Sequence, residues 1–260
     1  MTDAPHQKDR YDRQLLLHGA KRNEVLTLAE VSGYGEHSFG DRDYIKVYGL
    51  TPSQWYSRGI RLLGRTAVEC TRDELADRIG IDIAAIAAKT SSRRKYTVID
   101  PFAGSCNTLF WILRHLTEAR GIAFEMDSQV YELSAKNVAL LETRIELHNG
   151  DYKILLPKLE ISDENDIVVF IAPPWGKALD ETSGLDLRAT SPAITDIIQF
   201  LDRTFPTHRL LLGVQVFENV NVTSLTDVQS MLECSRMRVY DLNVAGKNHG
   251  LLLGTKRWGP

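Results

Sequence analysis

The 260-residue sequence has only three cysteines, Cys70, Cys106 and Cys234, odd in number and far apart. That excludes a disulfide framework and fits reduced thiols. No window approaches the roughly 18 unbroken apolar residues of a membrane span. The opening stretch MTDAPHQKDRYDR is polar where a secretory leader needs an apolar run, so the expectation is a soluble, cytoplasmic protein with no membrane partner. The histidines at 6, 18, 37, 115, 148, 208 and 249 show no H-x-x-x-H or H-E-x-x-H spacing, and no metal is expected. A dinucleotide-type G-x-G-x-x-G and a Walker G-K-[ST] are both missing, which argues against a dehydrogenase and a P-loop nucleotidase.

Charge of one sign is also scarce. The formal net charge is −3, with 16 Lys+Arg against 13 Asp+Glu in residues 1–95 and 15 against 21 in residues 96–260. Neither half carries the basic stripe of a protein that grips long nucleic acid. The single basic run, Ser92-Arg93-Arg94-Lys95, reads as a solvated linker before a strand. With 43% hydrophobic and 25% charged residues the chain has enough apolar content for a full core.

From Tyr96 onward, short β-rich runs alternate with helical stretches, the order that builds a parallel sheet covered on both faces. Strands are expected at Tyr96–Asp100, Ile122–Met126, Ile145–His148, Ile167–Ile171 and Leu210–Phe217. Helices are expected from about Cys106 to Arg120, closed by Gly121, from Ser128 as N-cap through Leu141, over Pro192–Phe205 and over Ser224–Glu233. Two last extended runs, Met237–Val244 and Leu251–Lys256, suit an antiparallel hairpin. Residues 1–95 lack this rhythm. There Thr71-Arg72-Asp73-Glu74 reads as a capping box opening a helix to about Ala88, preceded by an aromatic-rich stretch with Tyr34, Phe39, Tyr44, Tyr48, Trp55 and Tyr56. The division predicted is a mainly helical N-terminal cap or lid over 1–95 and an α/β domain over 96–260.

Chemistry concentrates where the strands end. The first runs into Asp100-Pro101-Phe102-Ala103-Gly104-Ser105-Cys106-Asn107-Thr108, a glycine-containing turn that lets a ligand approach the backbone at a helix N-terminus. An acid just before that turn would repel a pyrophosphate and attract an ammonium or sulfonium. Strand two ends in Glu125-Met126-Asp127, placing Glu125 to accept ribose hydroxyls, with Asp127 the lesser ribose partner because it is also able to cap the next helix. Strand three is followed by Asp151-Tyr152, where Asp151 is positioned for an adenine amine. Each acid has a plainer reading as a solvated loop residue, but ligands in such sheets bind at the carboxyl edge, where all three fall. The fourth strand ends in Ala172-Pro173-Pro174-Trp175-Gly176: two prolines fix the backbone so that the Ala172 carbonyl faces the edge, and Trp175 offers a π surface for a heterocycle. The plainer reading is that Pro-Pro-Trp ends a strand and packs a core.

The D-P-F-A-G-S turn with the A-P-P-W-G element resembles class I S-adenosylmethionine-dependent methyltransferases that modify base amines, and most closely the trimethylguanosine synthase family of RNA cap guanine-N2 methyltransferases. Asp100, Phe102, Gly104, Asn107 and Thr108 match that family's cofactor turn, and Ala172 to Gly176 match its base-holding element except at the first position. Leu185-Asp186-Leu187-Arg188 with Ser191-Pro192 resembles the segment that follows, and Trp55, Arg58, Leu62-Leu63 and Arg65 resemble its upstream helix. The resemblance implies a Rossmann-like, mostly parallel seven-stranded sheet with a C-terminal antiparallel hairpin. Together with the strand-end acids it makes S-adenosylmethionine the expected cofactor, held by Asp100, Phe102, Ala103, Gly104, Asn107, Thr108, Glu125, Met126, Asp151 and Tyr152. The catalytic ledge would be Ala172, Pro173, Pro174 and Trp175. Two departures are plain: Cys106 stands where the family has a glycine pair, in a turn one residue shorter, and Ala172 lacks the side-chain oxygen of Ser or Asn. With the aromatic cap and the acidic second half, the expected reaction is N-methylation of a purine-like or other heterocyclic small molecule. The alternatives are an RNA guanine-N2 acceptor and a cofactor-binding protein without catalysis.

Overall fold

Alternating apolar runs after Tyr96 give, in the computed structural model, a seven-stranded sheet; residues 12–89, 95–180, 182–242 and 248–258 are described. Most of the basic run at 92–95 and the centre of the last hairpin loop lie outside these. Helices α1 (Arg13–Leu17), α2 (Leu28–Phe39), α3 (Pro52–Ser57), α4 (Gly64–Glu69) and α5 (Asp73–Ala87) precede the sheet. Then follow β1 (Tyr96–Asp100), α6 (Asn107–His115), β2 (Arg120–Glu125), α7 (Ser128–Leu140), β3 (Ile145–Asn149), the one-turn α8 (Tyr152–Leu155) and β4 (Asp166–Ile171). The two-residue strands β5 (Leu179–Asp180) and β6 (Gly184–Leu185) lead to α9 (Ile194–Thr204), β7 (Leu210–Phe217), α10 (Val222–Ser230), β8 (Cys234–Tyr240) and β9 (His249–Lys256).

The strand order is β3-β2-β1-β4-β7-β9-β8, with parallel pairing from β3 through β7 and β9 antiparallel to both its neighbours. This is the Rossmann-like arrangement, mostly parallel with an antiparallel end, that the resemblance implied. The hairpin's second arm does not simply extend the sheet; it inserts between β7 and β8. Every residue of central β4 is buried, as an apolar run covered on both faces requires. One face carries α9 through Ile194, Ile197, Ile198 and Leu201, and the other carries α5 and α6 through Ile79, Ile83, Leu109 and Ile112. Each such side chain contributes roughly 1.5–3 kcal/mol on burial.

Several expectations shift. Helix α6 ends at His115, and Gly121 lies in β2 beside Ile145 instead of capping a helix. Asp127, not Ser128, is the N-cap of α7, because its carboxylate accepts from the Gln129 and Val130 amides at 3.0 and 3.1 Å. The capping box at Thr71 does not form: α5 starts after Arg72 with no side-chain cap, and the Thr71 hydroxyl donates to Gln215 Oε1 at 3.0 Å. Helix α5, assigned by sequence to the cap, shares the core of the sheet. The helices before it bury their own cluster, including Tyr34, Tyr48 and Trp55 at 2%, 3% and 0% exposure. Those aromatics are therefore core, not the lining of a lid.

Candidate functional site

The carboxyl ends of β1, β2 and β3 are tied together by backbone bonds around one turn. After Asp100 the chain turns through residues 101–106 and docks on β2, where the Ala103 amide donates to the Phe124 carbonyl at 2.9 Å. The next amide, Gly104 N–H, donates to Glu125 Oε2 at 3.0 Å, and Ser134 Oγ donates to the Gly104 carbonyl at 2.7 Å. Gly104 has φ +48°, and a Cβ there would meet nothing within 4 Å, so the turn faces open space. Cys106 takes φ +61° as N-cap of α6, a left-handed conformation in which a glycine costs less.

Two acids meet beside that space. Asp100 is 2% exposed and its Oδ1 accepts from the Phe102 amide at 3.0 Å. Burial pushes its carboxyl up to about 7, partly offset by that amide and reinforced by the charge of Glu125. Glu125 is itself raised by burial, although its oxygens accept from the amides of Asp127 and Gly104. Both carboxyls are thus raised chiefly by burial, and ionising either costs more than it would in water. Asp127, whose amide holds Glu125, turns its own carboxylate to Arg65 of α4 at 2.6 Å, and the guanidinium holds that carboxyl below the usual range.

The end of β3 closes the third side. The Gly150 amide and Asn149 Nδ2 both donate to the Glu125 carbonyl, at 2.9 and 2.8 Å. Asp151 uses Oδ1 to cap α8 through the Lys153 amide at 2.8 Å. Tyr152 is buried edge-on against Phe102 and Phe200, both at 5.4 Å, with a hydroxyl that has no partner among the described residues. Met126 is 71% exposed at the rim.

Two residues of the predicted cofactor set lie below this surface. Asn107 is buried and fully engaged: its Oδ1 accepts from the Tyr48 amide at 2.7 Å, and its Nδ2 donates to the Thr71 carbonyl and Asp73 Oδ1 at 2.8 and 3.1 Å. With both donors committed, it clips the N-terminal segment to α6 and offers no donor to a ligand, a correction to the predicted role. Tyr48 completes the clip by donating to the Ser105 carbonyl. Thr108, on the same first turn of α6, is also buried.

The second half of the site begins where β4 stops. Ala172 is half-buried, Pro173 buried and Pro174 exposed, and Trp175 is half-buried against Phe217 at 6.2 Å and 70°. The imidazole of His249 stacks on Trp175 at 5.3 Å and 27°. His249 and its partner Gln215 are functional candidates that the reading along the chain missed. The signal was topological: in an antiparallel final strand, the first residue arrives at the edge where β1 to β4 end.

No family model matches the sequence, and no curated protein matches it. Solved structures do resemble it in three dimensions. The METTL16 MTase domain is 13% identical, covers 96% of each chain and superposes with a TM-score of 0.57. A delta-N METTL16 MTase domain is 14% identical over 71% of this chain and 84% of its own, with a TM-score of 0.50. At this identity the likeness establishes the fold, and with 96% coverage it extends over the N-terminal helices as well as the sheet.

Proposed function

We propose that this chain is an S-adenosylmethionine-dependent methyltransferase acting on a nitrogen of a purine-like or other aromatic heterocyclic small molecule. The observation that carries the proposal is the turn after β1, where Gly104 opens to free space while its amide holds Glu125 at the end of β2, and where the buried Asp100 that begins the turn has a raised carboxyl. Glu125 fits a ribose, because each oxygen accepts one amide and keeps lone pairs for hydroxyl donors. Asp100 fits a positive centre, its ionised form being favoured by a cation. Phe102, Ala103, Met126, Asp151 and Tyr152 follow the same three strand ends, with Ala103 and Tyr152 buried and Met126 exposed.

The bound cofactor would supply a methyl group on a sulfonium, open to in-line displacement. The protein's task is then to align acceptor and donor, an effect worth up to ~7–11 kcal/mol. Pro173 and Pro174 hold the Ala172 carbonyl in place for an acceptor N–H, while Trp175 supports the ring. An acceptor amine with a free lone pair requires no strong base. Support for a small acceptor comes from the acidic balance of residues 96–260; the buried aromatics of the N-terminal segment lend none. The A-P-P-W-G element supports the second reading, an RNA guanine amine.

The test is methyl-labelled cofactor offered with adenosine, guanosine, cytidine, a short RNA and fractionated cell extract. Label in a nucleoside or small metabolite supports the first reading and label in RNA the second. Well-folded protein that binds S-adenosylhomocysteine but transfers label to nothing supports a non-catalytic cofactor-binding protein.

A further inference from the structure

Trp175 is held from one side by a chain of polar contacts that starts at the cofactor turn. Asn107, the first residue of α6 after that turn, donates through Nδ2 to the Thr71 carbonyl at 2.8 Å. The Thr71 hydroxyl donates to Gln215 Oε1 at 3.0 Å, which orients the amide so that its Nε2 faces His249 Nδ1 at 3.3 Å. An amide N–H pointing at Nδ1 makes that nitrogen the acceptor and leaves the ring proton on Nε2. The imidazole so fixed lies near-parallel to Trp175 at 5.3 Å. Burial, aided by the nearby Arg72 charge, pushes the His249 pKa down to about 4, against the opposing charge of Glu218. The ring is therefore neutral at physiological pH, as Nδ1 acceptance and flat stacking both need.

These contacts join three parts of the chain: Thr71 from the segment before α5, Gln215 from β7 and His249 from the start of β9. None of the three emerged from the motif resemblance. A ring stacked on tryptophan restricts its tilt, and a ring whose own nitrogen is tethered cannot slide away without breaking a hydrogen bond. We propose that Thr71, Gln215 and His249 form a positioning relay that fixes the plane of Trp175 for the methyl acceptor, an inference that rests on reading Trp175 as the acceptor platform. These are positioning residues, since each acts through Trp175.

The test compares Thr71→Val, Gln215→Leu, His249→Phe, His249→Ala and Trp175→Ala, each checked for a native thermal melt. Readouts are KM and kcat for the best acceptor of the nucleoside panel and Kd for S-adenosylhomocysteine. Iodide quenching of Trp175 fluorescence, isolated by subtracting a Trp175→Phe control, is read alongside. The relay predicts an acceptor KM raised about tenfold by His249→Ala and several-fold by Thr71→Val and Gln215→Leu. A smaller rise is expected for His249→Phe, which keeps a stacked ring. Cofactor Kd stays within twofold throughout, Trp175 becomes more accessible to iodide in His249→Ala, and Gln215→Leu adds nothing to His249→Ala. If Trp175→Ala raises acceptor KM while the Thr71, Gln215 and His249 variants leave it within twofold, the relay is wrong and the platform stands. If Trp175→Ala also leaves it unchanged, the platform reading itself falls. If no nucleoside accepts a methyl group, unchanged iodide quenching in His249→Ala still overturns the relay.

Discussion

Asp100→Asn is expected to make the protein more stable and its cofactor binding worse, in the same variant. Asn keeps the size of the side chain and an oxygen to accept from the Phe102 amide, while removing the charge that burial penalises. The wild-type carboxyl is raised from 3.8 to about 7 in the folded protein. A raised acid contributes stability in its neutral form, fully present below pH 3.8 and lost as pH climbs through about 7. Relative to an uncharged isostere, the wild type thus loses about 2 kcal/mol at pH 5 and about 4 kcal/mol at pH 8. For a chain of this size that is a rise in Tm on the order of 10 °C for Asp100→Asn at pH 8, shrinking toward acid pH. Thermal melts at pH 5 and pH 8, with calorimetric titration of S-adenosylmethionine and S-adenosylhomocysteine, provide the assay. The variant should lose more affinity for the cationic cofactor than for the neutral product. An Asn variant less stable than wild type at pH 8, or equally weakened toward both ligands, refutes the idea of a strained carboxyl kept for a cation.

In the wild type, S-adenosylmethionine affinity should rise with pH through about 7 and level off, because a cation favours ionised Asp100, while S-adenosylhomocysteine affinity changes less; titration across pH 5.5–8.5 checks the sign. Glu125→Gln should weaken both ligands about tenfold or more, with the Gly104 turn still formed; a change under twofold would remove the ribose role. Asn107→Ala should lower stability by about 3 kcal/mol or more, since it strips partners from the buried Tyr48 amide and Asp73 carboxylate. In that variant, S-adenosylhomocysteine stoichiometry should be unchanged wherever the protein remains folded, as seen by denaturant unfolding with calorimetry.

The sheet was legible because strand periodicity and position are local properties. Leu210–Phe217 has the bounds expected from its pattern, and the cap of α7 falls on Asp127, one residue before the Ser128 expected. What sequence pattern could not give was partnership across the chain. Thr71 looked like a helix cap because Glu74 follows three residues later, yet its hydroxyl has a distant partner in Gln215. Asn107 matched a cofactor motif by position, but spacing says nothing of the Tyr48 and Thr71 backbone groups that claim its donors and acceptor. The aromatic stretch before α5 suggests a cap or lid because composition does not distinguish a lined cavity from a second core, which is where Tyr34, Tyr48 and Trp55 lie. At the candidate site, the rule that ligands collect at the carboxyl edge points to Asp100, Gly104 and Glu125, which the structure ties to one turn through the Gly104 amide. His249 escaped because that rule was applied only to the parallel strands.

The central claim is one adenosyl-sulfonium site built from the ends of β1, β2 and β3, and isothermal titration of S-adenosylhomocysteine into the folded protein tests it most directly. The account requires saturable one-to-one binding in the wild type that collapses in Glu125→Gln. Absence of heat with a protein that melts cooperatively, or binding indifferent to Glu125, would contradict it.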